Sequence, residues 1–188
     1  MFKKLMVLLV LLSILSCENE FSEKDKQEYT QKGKVIAEAT FKTLSSQLMV
    51  QMKAGGPAQA IPFCNQQAAP LTSEISNKYK VVIKRTSDQL RSFNNKPTKR
   101  EIDIIKNYKQ LLAESKELKP VVEIDSMNKK HFYAPIIMKA NCLACHGKLN
   151  ETMSFKTDSI VKSLYKLDKA IGYNEGDLRG VWSIAFNN

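Results

Sequence analysis

Cys142-Leu143-Ala144-Cys145-His146 is the segment of this 188-residue sequence best equipped for chemistry. On a helical turn, two thiols three residues apart share a face, and His146 is the next-turn neighbour of Cys142. Thiols so placed can add to the two vinyl groups of a haem while the imidazole takes the iron from one side. CxxCH is thus a c-type haem attachment site. The spacing predicts one covalent haem c, tethered by Cys142 and Cys145 and ligated by His146. Two other chemistries use similar residues. A CxxC redox pair belongs in a thioredoxin-like βαβ context, which the flanking sequence lacks. A zinc site could recruit Cys64 with Cys142, Cys145 and a His, but the usual second short-spaced ligand pair is missing.

Four Cys and two His are too few for a disulfide scaffold or a His-rich metal site. Cys64 is the thiol left over once Cys142, Cys145 and an N-terminal Cys17 are assigned. It reads either as a small buried hydrophobe or as the second axial ligand of the iron. Spacing leaves that second position open among Cys64, His131, Met127, Met138, Met153 and no ligand at all. Arg85 and Arg179 are two of only four Arg and are candidates to pair with anionic haem propionates. The competing partner for Arg179 is the nearby Asp177. Thr86 and Ser87 can add hydroxyl donors, and Tyr133, Pro135, Ile136, Tyr173 and Trp182 can wall the haem or the core. No Ser-His-Asp pattern, phosphate-binding glycine loop or carboxylate pair stands out, so an enzyme would have to work through an open haem position.

The N-terminus predicts the compartment. Lys3 and Lys4 precede an apolar run over residues 5–15, long enough for a secretory leader and short for a membrane span. Ile14-Leu15-Ser16-Cys17 resembles a bacterial lipobox, with cleavage before Cys17 and lipid on that Cys. The expected chain is exported and lipid-anchored on the periplasmic or cell-surface side, with 1–16 as leader, 17–28 as tether and 29–188 as one domain. Losing Lys3 and Lys4 takes the net charge from +10 to +8. That charge is Lys-rich and Arg-poor, which suits anionic lipid head groups better than nucleic acid.

The elements that must position these residues follow from periodicity. Ala37, Phe41, Leu44, Leu48 and Met52 step as one helical face, predicting a helix over residues 23–53 that Gly55-Gly56-Pro57 ends. A second helical stretch, 58–69, is expected to be interrupted by Pro62, and a third to start at Pro70 and end near Tyr79. Residues 80–86 are β-branched and read as a strand. Thr98 is a candidate N-cap with Glu101 at the capping-box position, for a helix to about Leu118. Strands are expected at 121–125, 131–138 and 179–186, with a helix over 157–167 and a glycine-rich loop over 168–178. The fold class is α+β: an antiparallel sheet led by a long helix.

Taken in order, several motifs resemble one family. They are Gly55-Gly56-Pro57, Ala60-Ile61-Pro62-Phe63-Cys64, Lys84-Arg85-Thr86-Ser87, Tyr133-Ala134-Pro135-Ile136, Cys142-Leu143-Ala144-Cys145-His146-Gly147 and the run from Asp168 to Gly180. The sequence is similar over residues 30–187 to the c-type haem PAS-like domains, long filed as a domain of unknown function. These occur as stand-alone exported haem proteins and as sensor regions of signalling proteins. The resemblance implies a PAS-like antiparallel sheet fronted by a long N-terminal helix around the haem. It also implies attachment through Cys142 and Cys145, with His146 as proximal and Cys64 as distal iron ligand. The function so implied is redox or ligand sensing, or electron transfer to a redox or signalling partner. The alternative is a haem enzyme of peroxidase or nitrogen-oxide chemistry.

Overall fold

A computed structural model describes residues 21–187; the expected leader and Cys17 lie outside the described residues. Ser22 caps the first helix, its hydroxyl accepting from the Asp25 N–H at 3.1 Å. This helix, α1 (Glu23–Tyr79), is broken at Gly55 and Gly56 into arms of residues 23–54 and 57–79. The helix starts at Glu23 as the periodicity predicts, so residues 23–28, also grouped with the tether on composition, belong to it. Gly56 takes φ 63°, where glycine carries no Cβ penalty, and Pro57 opens the second arm with its φ already set. Pro62 and Pro70 do not interrupt that arm, contrary to expectation. Each removes one helical N–H, but the carbonyls this frees belong to Ala58 and Gln66, both exposed and able to bond water.

Four strands, β1 (Val81–Thr86), β2 (Val121–Ile124), β3 (Lys130–Ile137) and β4 (Leu178–Phe186), form one antiparallel sheet in the order β1-β4-β3-β2. Its two faces are both covered. Val81, Ile83, Phe132, Trp182, Ile184 and Phe186 pack under Ile36, Ala37 and Ile75 of α1. Gly33 lets α1 lie directly on the Phe132 ring, which any Cβ there would overlap. On the opposite face, Tyr133 and Val181 meet Ile104, Ile105 and Tyr108 of α2 (Lys99–Ala113). The buried stripe of the first arm is Gly33, Ile36, Ala37 and Thr40, offset from the expected one; Phe41 is 51% exposed.

The Thr98–Glu101 capping box forms as the sequence predicts. The helix it starts stops short of Leu118, because Ser115 takes a left-handed φ of 54°. The Lys116 and Ser115 N–H groups then close on the carbonyls of Leu111 and Leu112, a Schellman end made without glycine. The last helix, α4 (Phe155–Leu164), begins and ends earlier than its periodicity suggests, Ser154 being the cap.

Glu101 ties α2 to the sheet. It is buried, and Lys84 of β1 donates to it at 2.6 Å. Burial alone would raise its carboxyl, but Lys84, the Thr98 N–H and Ser183 together hold it below the ordinary value. Stability from this carboxylate is fully present above the unfolded glutamate value of about 4.3 and is lost as pH falls through the lower folded value. Glu101→Gln is expected to cost about 2 kcal/mol at neutral pH. It should also flatten the acid limb of a denaturant-midpoint against pH curve; an unchanged limb would assign the acid loss elsewhere.

Candidate functional site

The CxxCH segment leaves β3 through a tight turn, Ala140–Cys142, and forms one helical turn, α3 (Leu143–His146). The Gly147 N–H closes it on the Leu143 carbonyl at 2.8 Å. Buried Met138, Ala170 and Tyr173 support it from below, against Cys142 and Leu143. This places Met138 in the packing under the attachment turn.

His146 is held in one tautomer. Its Nδ1 lies 2.7 Å from the Ala170 carbonyl; a carbonyl only accepts, so the proton is on Nδ1 and the Nε2 lone pair is free. Tyr173 sits edge-on to the ring, centroids 6.4 Å apart. Burial first, then Arg91 and Arg179, hold the imidazole well below its usual pKa, so it is neutral at pH 7. A neutral imidazole with one nitrogen anchored and the other bare is the form in which histidine ligates metal.

Cys64 comes from the second arm of α1, yet it faces the same region. Burial raises its thiol while the charges of Arg85 and Arg91 oppose that rise. Burial likewise raises the Cys145 thiol, with Cys64 and Cys142 among the neighbours acting on it. Cys64 and Cys145 therefore act on one another electrostatically although they are about 80 residues apart in sequence. Cys64 also lines an apolar cavity between the two arms of α1, walled by Phe41, Leu44, Leu48, Phe63 and Ala68, with Arg85 at its base.

Strand alternation explains that arginine. Val81, Ile83 and Arg85 point to one face of β1, so Arg85 lies on the α1 side, its guanidinium carbon 5.8 Å from the Trp182 ring. Burial, then Arg179, lower its pKa, and among the described residues it makes no hydrogen bond or ion pair. Arg179 does not pair with Asp177, which instead accepts from the Asn174 N–H. Arg179 donates to the Gln89 carbonyl at 3.1 Å, and burial is the main cause lowering its pKa. Beside it the Tyr173 hydroxyl is buried without a hydrogen-bond partner. Two guanidinium groups lacking a carboxylate and one orphaned hydroxyl mark a place for anions that the described residues do not supply.

The other candidate ligands are elsewhere or otherwise engaged. His131 Nε2 bonds Asp125 at 2.9 Å near the β2–β3 turn, and Met127 is 76% exposed in that turn. Met153 is fully buried next to α4. No group of three or more His, Cys, Asp or Glu side chains among the described residues is placed to hold a metal ion, which a zinc site would require. Thr86 is engaged with the Asn95 carbonyl and Ser87 with the Gln89 N–H.

Arg91 is unmarked in the sequence and Asp168 is marked only as the start of the motif run to Gly180, yet both reach the site. Arg91 pairs with both Asp168 oxygens at 3.2 Å and donates to the Cys145 carbonyl at 2.6 Å. Its partners are more than 50 residues away, so no local spacing announces them. The one available signal was scarcity, since Arg91 is among only four Arg.

The donor set fits the haem c expected from the sequence. It comprises two adjacent thiols, an imidazole with a bare Nε2, a third thiol lining an apolar cavity, and guanidinium groups without a carboxylate partner among the described residues.

Comparison with known proteins places this arrangement. The chain is similar in structure to the cyanobacterial heme-protein Tll0287, known from a crystal structure, with a TM-score of 0.64 and 19% identity over 86% of this chain and 96% of that one. At this identity the likeness shows a shared fold: α+β, with a long N-terminal helix and a four-stranded antiparallel sheet. No curated protein matches the chain. The Tll0287-like family model matches residues 14–187. With the ordered motifs and the sheet both in agreement, the chain is a member of the Tll0287-like family.

Proposed function

We propose that the chain is an exported, lipid-anchored haem protein that carries one covalent haem c and serves redox or ligand sensing, or electron transfer. The observation that carries this reading is the fixed tautomer of His146, its Nε2 bare, one residue after Cys145. When bound, the iron supplies one-electron redox chemistry. Cys142 and Cys145 would hold the group covalently, each S–H adding across one vinyl double bond with no leaving group. His146 Nε2 and the Cys64 sulfur are the residues that would be offered to its iron. Arg85, Arg179 and the Tyr173 hydroxyl are suited to hold the two carboxylates of the group.

Cys64 ligation favours a carrier or sensor over a catalyst, because a six-coordinate iron has no vacant position unless a ligand leaves. Export and the lipid on Cys17 would set the protein at a membrane surface, where its positive charge favours anionic lipid. Among the described residues no helix is long and apolar enough to cross a membrane. The partner is a redox or signalling protein at the same surface. Absorption spectra of the oxidised and reduced protein, with and without carbon monoxide, test the reading. A low-spin ferric spectrum supports it, and carbon monoxide uptake by the reduced form reports whether a ligand leaves on reduction. A high-spin ferric spectrum with rapid peroxide turnover would move the protein to the enzyme class.

A further inference from the structure

The Ala170 carbonyl has two donors. It accepts from His146 Nδ1 at 2.7 Å and from Arg91 Nη2 at 3.2 Å. The same Nη2 donates to the Cys145 carbonyl. Asp168 fixes the guanidinium through both oxygens, and its Oδ1 also accepts from the Ala170 N–H at 3.0 Å. The pair is well covered, with side-chain exposures of 13% for Arg91 and 3% for Asp168. Next to it, the Lys169 N–H donates to the Leu90 carbonyl at 2.7 Å, and the Tyr173 N–H to the His146 carbonyl at 3.1 Å. One guanidinium therefore joins the loop after β1, the attachment turn and the loop before β4.

We propose that Arg91, braced by Asp168, is a positioning residue for His146: it fixes the Ala170 carbonyl that orients the imidazole and limits the electron density that carbonyl lends to it. This rests on the reading of His146 as the iron ligand. An imidazole whose Nδ1–H is given to a carbonyl becomes a stronger donor to metal. A cation on the same oxygen draws on the same lone-pair density and weakens that effect. Its fork geometry, which lysine lacks, reaches a carboxylate and two carbonyls at once. Removing Arg91 leaves the carbonyl to His146 alone, strengthens its donation and favours ferric iron. It also frees the ring plane to settle in more than one orientation.

The test uses the full-length protein with its haem, and three variants. Arg91→Gln is expected to keep covalent haem and to shift the oxidised-to-reduced ratio at a fixed poise about tenfold toward oxidised, ~59 mV for a one-electron couple. Its ferric low-spin electron paramagnetic resonance signal should broaden or split. Arg91→Lys keeps the charge, so a shift in the same direction separates positioning from simple electrostatics. Lys166→Gln removes an exposed cation from the same loop outside this hydrogen-bond network and should leave ratio and signal unchanged. If the Arg91 variants fail to mature, Asp168→Asn is read by the same resonance signal and should also broaden it. Haem-loaded variants with wild-type ratio and signal overturn the proposal, as does an Arg91→Lys protein matching wild type while Arg91→Gln shifts. Absence of covalent haem from the unaltered protein overturns the haem reading itself, and this inference with it.

Discussion

Changing both Cys142 and Cys145 to Ala is expected to release haem completely on denaturation, where the unaltered chain retains it. The expected effect is all-or-none, because the two thioether bonds are the only covalent ties in the account. Neither residue is buried in the core: both are half-buried at the attachment turn. The substitutions remove a polar sulfur from a partly exposed surface, so the fold should lose no more than about 1 kcal/mol. The far-ultraviolet circular dichroism of the variant should match wild type, and acid-acetone extraction should strip its colour. Haem that survives extraction from the double variant would mean attachment through another residue, and the role given to Cys142 and Cys145 would be wrong.

Cys64→Ser carries the second large effect. A thiolate donates charge to iron and stabilises the ferric state, so its loss should raise the reduction potential. Axial ligands span roughly 0.8 V in haem proteins, and a thiolate-to-neutral change should move the potential upward by on the order of 0.1–0.3 V. The Soret band should shift as well, and the reduced protein should bind carbon monoxide more readily. Serine is nearly isosteric with cysteine, so the cavity formed by Phe41, Leu44, Leu48, Phe63 and Ala68 keeps its shape. A variant with unchanged potential and spectrum would remove Cys64 from the iron and leave it as a packing residue.

The parts of this site visible in the sequence are those fixed by local geometry. Cys142, Cys145 and His146 lie within one helical turn, so their spacing alone states their relation. The Thr98–Glu101 capping box is local in the same sense and was equally legible. Cys64 was legible as the unassigned thiol, but nothing local separated it from His131 or a methionine. The sheet sets His131 against Asp125 and brings Arg85 to the cavity that Cys64 lines, contacts that no local spacing states. Arg91 was missed for the same reason, its contacts spanning 54, 77 and 79 residues of chain. Element ends failed where a residue acted outside its usual preference. Ser115 took the left-handed position that glycine ordinarily marks, and Pro62 and Pro70 stayed helical because the carbonyls they freed face solvent.

The half-exposed apolar face of α1 is explained by the same account. Leu44 packs against the core cluster of Ile36 and Ala37, and with Phe41 and Leu48 it lines the cavity beside Cys64. Apolar side chains arranged around a thiol, above an arginine without an anion, make sense as walls for a flat apolar group with an acidic edge. They would otherwise be a surface defect of the kind soluble domains avoid.

The central claim is that one haem is bonded to this chain through Cys142 and Cys145. Its most direct measurement is the intact mass of the purified protein under fully denaturing conditions, with peptide mapping of the residue 139–148 segment. The expected mass exceeds that of the processed, lipidated polypeptide by one haem, with the haem mass confined to the peptide containing both Cys142 and Cys145. A denatured chain at the bare polypeptide mass, with haem free in solution or absent, would contradict it.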